Sequence, residues 1–188
     1  MSLGYVYSWK IVVGGAGGAG KTTLLMRFIE NKFIEDTKIT IGVKFHMKKV
    51  TRQDTTVALL LWDLGGQKQF RFVQGSYIKG ASAALIFFDT NRPQTLKQVP
   101  KWVELVRANT KGDIPILFIG NKLDLISEQK REMVRENAEQ MVKELGMNCY
   151  IGTSAKDNLL VEETFNYLVD LLLWKAAQKK EELLKGKS

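Results

Sequence analysis

The chain has 188 residues, 45% of them hydrophobic and 26% charged, which suits one domain with a continuous core. No apolar stretch approaches the roughly 20 residues that cross a bilayer, residues 1–9 lack the layout of a secretory signal, and the single cysteine, Cys149, excludes an internal disulfide, so a cytoplasmic protein is expected. The net charge of +8 admits nucleic acid, anionic lipid or acidic partners, but reads more simply as basic side chains on solvated helix faces; without aromatic–basic interleaving, no specific nucleic acid is expected.

In chain order, residues 9–13 form a short apolar run ending in glycines, and residues 20–30 read as a helix. Between them, Gly15-Ala16-Gly17-Gly18-Ala19-Gly20-Lys21-Thr22 matches the phosphate-binding pattern G-x-x-x-x-G-K-[ST] in its required setting, after a strand and opening a helix. Glycines let the backbone wrap a polyphosphate with N–H groups inward, and the helix start adds partial positive charge. Candidate phosphate contacts are Gly15, Gly17, Gly18, Ala19, Gly20, Lys21, Thr22 and Thr23. Lys21 has the reach for the β- and γ-phosphates, and the Thr22 hydroxyl suits Mg²⁺. Such a loop specifies a nucleoside triphosphate and leaves the base open.

Residues 43–48 alternate apolar and polar, as a half-exposed strand does, whereas 57–62, 83–88 and 116–119 are uninterrupted apolar runs of the kind covered on both faces. Helices are predicted over about 67–78, 96–109 and 128–145, the last with Ser127 as N-cap. A final helix starts near Val161, with Val161, Phe165, Leu168 and Leu172 on one face. Strands alternating with helices predict an α/β fold whose mostly parallel sheet lies between helix layers, with ligands at the carboxyl ends of the strands. The expected organisation is a tail over 1–6, one domain over 7–177, and a basic tail over 178–188.

After the strand at 116–119 comes Gly120-Asn121-Lys122-Leu123-Asp124. Guanine offers an N1–H and an exocyclic amino group side by side, and the Asp124 carboxylate can accept both. Adenine lacks that pair and would leave the carboxylate unsatisfied, a penalty that supports discrimination of about 10⁴ or more. Farther on, Thr153-Ser154-Ala155-Lys156 follows a short strand-like run and could present a backbone N–H to the guanine oxygen.

With these pieces in order, the chain resembles the Ras-like small GTPases, most closely the Rab-like branch, from about Trp9 to Trp174. The motifs that carry the resemblance are the phosphate loop, Asp63-x-x-Gly66, Asn121-Lys122-x-Asp124 and Ser154-Ala155-Lys156. Thr40-Ile41-Gly42-Val43-Lys44-Phe45 looks like a Rab-type first switch, with Lys44 where an acidic residue is more usual. Trp62-Asp63-Leu64-Gly65-Gly66-Gln67 looks like a second switch, its double glycine closer to the Arf branch.

The resemblance implies a P-loop NTPase fold with a six-stranded, mostly parallel sheet and helices on both faces, and a GTPase that uses Mg²⁺ and cycles between GTP and GDP as a switch in signalling or trafficking. It implies Mg²⁺ at Thr22, Thr40 and Asp63, γ-phosphate contacts from Thr40 and Gly66, and an attacking water oriented by Gln67, with Lys21 stabilising charge on the phosphates. Phe33 matches an aromatic beside the guanine, read by Asn121, Lys122, Asp124, Ser154, Ala155 and Lys156. Phe45, Trp62 and Tyr77, with Ile41, match an effector surface; ordinary core packing is an equally good reading of that triad. Thr37 stands where an aromatic often covers the nucleotide.

No arginine is assigned to the transition state from the residues alone. Slow intrinsic turnover is therefore expected, accelerated by an activating protein, with an exchange factor and effectors as further partners. The chain shows no prenylation cysteine at Lys185-Gly186-Lys187-Ser188 and no glycine after Met1, so no lipid anchor is expected. Residues 175–188, with five Lys against two Glu, could add weak peripheral attraction to anionic lipid. Two further readings stand beside this one: a module that binds GTP without hydrolysing it, and an ATP-dependent enzyme, which Asp124 disfavours. His46 reads as a solvated strand residue and Cys149 as core.

Overall fold

A computed structural model describes residues 6–34, 40–52, 54–66 and 71–185. Its strands are β1 (Val6–Gly15), β2 (Val43–Arg52), β3 (Thr55–Leu64), β4 (Ala83–Asp89), β5 (Ile116–Asn121) and β6 (Cys149–Gly152). Its helices are α1 (Lys21–Glu30), α2 (Arg71–Ile78), α3 (Val99–Asn109), α4 (Glu128–Leu145) and α5 (Val161–Lys185). The strands form one sheet in the order β2-β3-β1-β4-β5-β6, antiparallel only between β2 and β3. β1 lies between β3 and β4, so the chain order reverses where its glycine-rich end emerges, the usual position of a ligand crevice.

Alternation along the inner strands sorts the core into two layers. Ile11 and Val13 of β1 face Leu24, Leu25, Phe165 and Leu168 of α1 and α5, whereas Val12 joins Trp102, Val103 and Val106 of α3 on the other face. β4 and β5 are buried along their whole length, as their unbroken apolar runs require.

Most expected elements are present with shifted ends. β1 starts at Val6, three residues early, because its polar positions still pair with β3 from Val6↔Thr56 onward. The helix expected from residue 96 is divided: Pro93–Gln98 forms a 3-10 turn braced by the Thr95 hydroxyl, which donates to the Arg92 carbonyl at 2.7 Å, and α3 follows from Val99. Ser127 caps α4 as expected, its Oγ accepting from Lys130 N at 3.4 Å, and Gly146 closes that helix in the left-handed region. α5 continues through the boundary drawn at 177 as far as Lys185, solvent-exposed over its last turns.

Candidate functional site

The phosphate loop runs from the end of β1 into α1. Gly20 precedes the first helical residue with φ +81° and no side-chain cap, leaving the helix's opening N–H groups for a ligand. Lys21 folds over the loop, its Nζ donating to the carbonyls of Gly15 (3.2 Å) and Ala16 (3.1 Å). Burial pushes its ammonium down to about 8, against the opposing pull of Asp63. Gly66 abuts the loop closely: a Cβ there would meet Gly17 N and lie 2.7 Å from both Gly15 O and Ala16 C. Gly65 ties the two switch segments, its N–H donating to Gly42 O at 2.8 Å, while Gln74 Nε2 holds the Gly65 carbonyl at 2.7 Å.

Beside Lys21, three oxygen-bearing side chains from separate segments converge. Thr22 Oγ1 lies 2.7 Å from Thr40 Oγ1 and donates to Asp63 Oδ2, with Thr40 Oγ1 3.5 Å from the same oxygen. Asp63 is fully buried, and its Oδ1 has no hydrogen-bond partner among the described residues. A carboxylate with an orphaned oxygen beside two hydroxyls fits a hard divalent cation. Among the described residues no three His, Cys, Asp or Glu side chains form a cage. Magnesium shared with phosphate oxygens needs only one or two carboxylates, so this set suffices.

A cavity of about 300 Å³ opens beside the loop, bounded by Gly18, Gly20, Thr23 and Phe33 on one side and Asn121, Lys122, Asp124, Ala155 and Lys156 on the other. Asn121 is buried and braced fourfold. Its Nδ2 donates to Ala19 O (3.1 Å) and Gly20 O (3.4 Å), and its Oδ1 accepts from Thr153 Oγ1 (3.2 Å) and Ala155 N (3.3 Å). Ser154 Oγ donates to Asp124 Oδ1 at 2.6 Å and accepts from Asp157 N at 3.0 Å, which fixes the carboxylate at the cavity edge. Arg27 reaches from α1 to the carbonyls of Ala155 (2.9 Å) and Lys156 (3.2 Å), its guanidinium 5.9 Å from the Phe33 ring.

Lys122 points to a residue that motif reading missed. Its Nζ donates to Asp89 Oδ2 at 2.8 Å, and Arg92 Nε donates to the same oxygen at 2.8 Å. Burial alone would raise the Asp89 pKa, but these two cations outweigh it and hold the carboxyl below its ordinary value. The available signal was a carboxylate closing an apolar run at the ligand end of the sheet, where Asp89 pairs with Asn121.

The structure thus brings together Gly15, Gly17, Gly18, Ala19, Gly20, Lys21, Thr22, Thr23, Phe33, Thr40, Asp63, Gly66, Asn121, Lys122, Asp124, Ser154, Ala155 and Lys156 along one edge of the sheet. Gln67 and Thr37 lie outside the described residues.

The aromatic triad is a surface feature and not core. Phe45 is 54% exposed and meets Trp62 edge-on at 5.5 Å; Trp62 lies 5.9 Å from Tyr77, itself 38% exposed, with Ile41 nearby in sequence at 70%. His46 is less solvated than expected: it is half-buried on the face of β2 that it shares with Lys48 and Val50, and its Nε2 is buried without a partner among the described residues. Cys149 is half-buried against the core, as expected, and burial pushes its thiol pKa up. Among the described residues no helix is long and apolar enough to cross a membrane.

A sequence model described as the Ras family matches residues 10–173. The chain is 32% identical over 169 residues to the Ras-related protein Rab-12 of Homo sapiens, covering 90% of this chain and 68% of that protein. It is 35% identical over 165 residues to the Ras-related protein RABA2a of Arabidopsis thaliana (88% and 75%) and 34% identical over 163 residues to RABA4b of the same plant (87% and 71%). The six-stranded, mostly parallel sheet agrees with that match, and the chain belongs to the Ras family as a Rab-like small GTPase, a guanine-nucleotide switch in trafficking or signalling.

Proposed function

We propose that this chain recognises guanine through Asp124 and hydrolyses GTP on the phosphate loop, with residues 7–177 as the nucleotide-binding domain. The observation that carries the reading is the Ser154–Asp124 bond, which holds an acceptor carboxylate at the rim of a cavity whose opposite wall is the phosphate loop. The guanine N1–H and amino group would satisfy that carboxylate, with Lys122 and Phe33 bounding the ring.

Lys21 and the loop N–H groups of Gly15, Gly17, Gly18, Ala19 and Gly20 hold the polyphosphate, and Thr23 closes the cavity beneath it. Thr22, Thr40 and Asp63 are the residues to hold Mg²⁺, whose charge would offset that of the β- and γ-phosphates. Gly66 offers its N–H to the γ-phosphate, and Gln67 orients the attacking water. Positioning and charge stabilisation supply the catalysis, with little covalent work by the protein. When the γ-phosphate leaves, Thr40 and Gly66 lose the group that holds their segments together, and that release is the switch. Ile41, Phe45, Trp62 and Tyr77 form the surface that effectors read in the GTP state.

Calorimetry on nucleotide-stripped protein tests the base reading. GTP should bind more tightly than ATP by about ten-thousandfold or more, and Asp124→Asn should shift preference toward xanthosine nucleotides, because an amide donates where the carboxylate only accepted. Equal affinity for the two triphosphates would overturn it.

A further inference from the structure

The phosphate loop is gripped from outside by an arginine that no motif assigns. Arg92 caps the 3-10 turn after β4, anchored by its Nε on Asp89 Oδ2 at 2.8 Å. Its Nη2 donates to the Gly17 carbonyl at 3.1 Å. The same guanidinium covers Gly18, where a Cβ would lie 2.8 Å from Nη2. Gly18 sits at φ +72°, a backbone conformation that disfavours a side chain, and the guanidinium lies over the space that one would occupy.

We propose that Arg92, anchored on Asp89, is a positioning residue for GTP hydrolysis that fixes and polarises the Gly17–Gly18 peptide of the phosphate loop. The inference rests on the reading of this loop as the triphosphate cradle. The Gly17 carbonyl and the Gly18 N–H belong to one amide. A charged donor on the carbonyl oxygen withdraws electron density through that amide and makes its N–H a stronger donor. Among the described residues, no backbone acceptor takes the Gly18 N–H, so the strengthened donor is left for the ligand. Charge that develops on the phosphates during transfer is stabilised by preorganised donors of this kind.

The anchor explains why this arginine is held in place. Asp89 is buried, its Oδ1 accepts Asn91 N at 2.9 Å, and its Oδ2 is shared by Arg92 and Lys122. One carboxylate oxygen therefore ties the base-reading segment to the rim of the phosphate loop. The Arg92 side chain keeps 41% of its surface exposed, so its charge is partly screened, and Asp89 supplies the orientation that solvent would otherwise scatter.

The test compares wild type with Arg92→Gln, which keeps length and removes charge, and with Arg92→Ala as a second variant should the first fail to fold. Two quantities are read on the full chain: the single-turnover rate of GTP hydrolysis, and the Gly18 amide resonance of the ¹⁵N-labelled GDP-bound protein. The expected result is a rate lower by about tenfold, the scale of one charge-assisted hydrogen bond, together with an upfield shift of the Gly18 amide proton. An unchanged rate overturns the proposal, and so does a slower rate with an unmoved Gly18 resonance, which would make Arg92 a general structural support. If wild type itself bound no GTP, the phosphate-loop reading would fall; if wild type hydrolysed GTP and the variants matched it, only the role of Arg92 would fall.

Discussion

Asn121 Nδ2 donates to the Ala19 carbonyl across 3.1 Å, joining the end of β5 to the phosphate loop over 102 residues of sequence. Because Asn121 also serves Gly20, Thr153 and Ala155, its removal strands several buried groups at once. Asn121→Ala should destabilise the GDP-bound protein by about 2–3 kcal/mol in urea unfolding and speed GDP release. Wild-type unfolding and release would show that the brace carries no load.

Ser154 acts on the base through Asp124. Without its hydroxyl the carboxylate loses the 2.6 Å bond that orients it. Ser154→Ala should weaken GTP binding by roughly ten- to a hundredfold, the worth of one hydrogen bond to a charged group, while ATP binding stays as weak as before. A matching loss for both nucleotides would place the damage in the loop and not in base recognition.

Lys21 makes the site pH-sensitive. Burial lowers its pKa from the ordinary 10.5 to about 8. Between those values the unfolded chain binds more protons, so burying the charge costs about 3 kcal/mol below pH 8, a cost relieved as pH rises toward 10.5. Nucleotide binding runs the other way, because phosphate favours the charged ammonium. GDP affinity should fall above about pH 8, by up to roughly tenfold per unit, and the fall should vanish in Lys21→Met. Fluorescent-nucleotide titrations on either side of that pH measure it, and a flat wild-type profile would remove the role given to Lys21.

Gly66 touches the phosphate loop through backbone atoms that cannot yield, with Gly15 O and Ala16 C both 2.7 Å from where a methyl group would stand. Gly66→Ala should therefore push the second switch away from the loop. The expected result is hydrolysis slowed by at least about tenfold, about 1.4 kcal/mol of barrier, with GDP affinity changed far less. Parallel losses of GDP and GTP binding would mean instead that the loop itself had been distorted.

Phe45 is more than half exposed, and its contact with Trp62 is made at the surface. Phe45→Ala should shift stability by no more than about 1 kcal/mol and leave intrinsic hydrolysis unchanged, yet abolish retention of proteins captured by the GTP-loaded form and not by the GDP-loaded form. Undiminished capture would move the effector surface elsewhere.

The amino-acid order by itself determined the phosphate loop, the separate segments at 121–124 and 154–156, and the alternation of strands and helices. Each of these depends on spacing within a few residues or on periodicity along one element, and such local signals survive without knowledge of the fold. Only the tertiary structure decided that Asp89 gathers Lys122 and Arg92 on one oxygen, that Arg92 lies on Gly17, and that Phe45 and Tyr77 reach the surface on either side of a half-buried Trp62. Asp89 and Arg92 are near neighbours in sequence, but Lys122 comes to Asp89 from 33 positions away and Arg92 reaches Gly17 across 75. Their chemistry comes from burial and from which strand lies beside which, quantities that sheet order sets and local sequence does not encode.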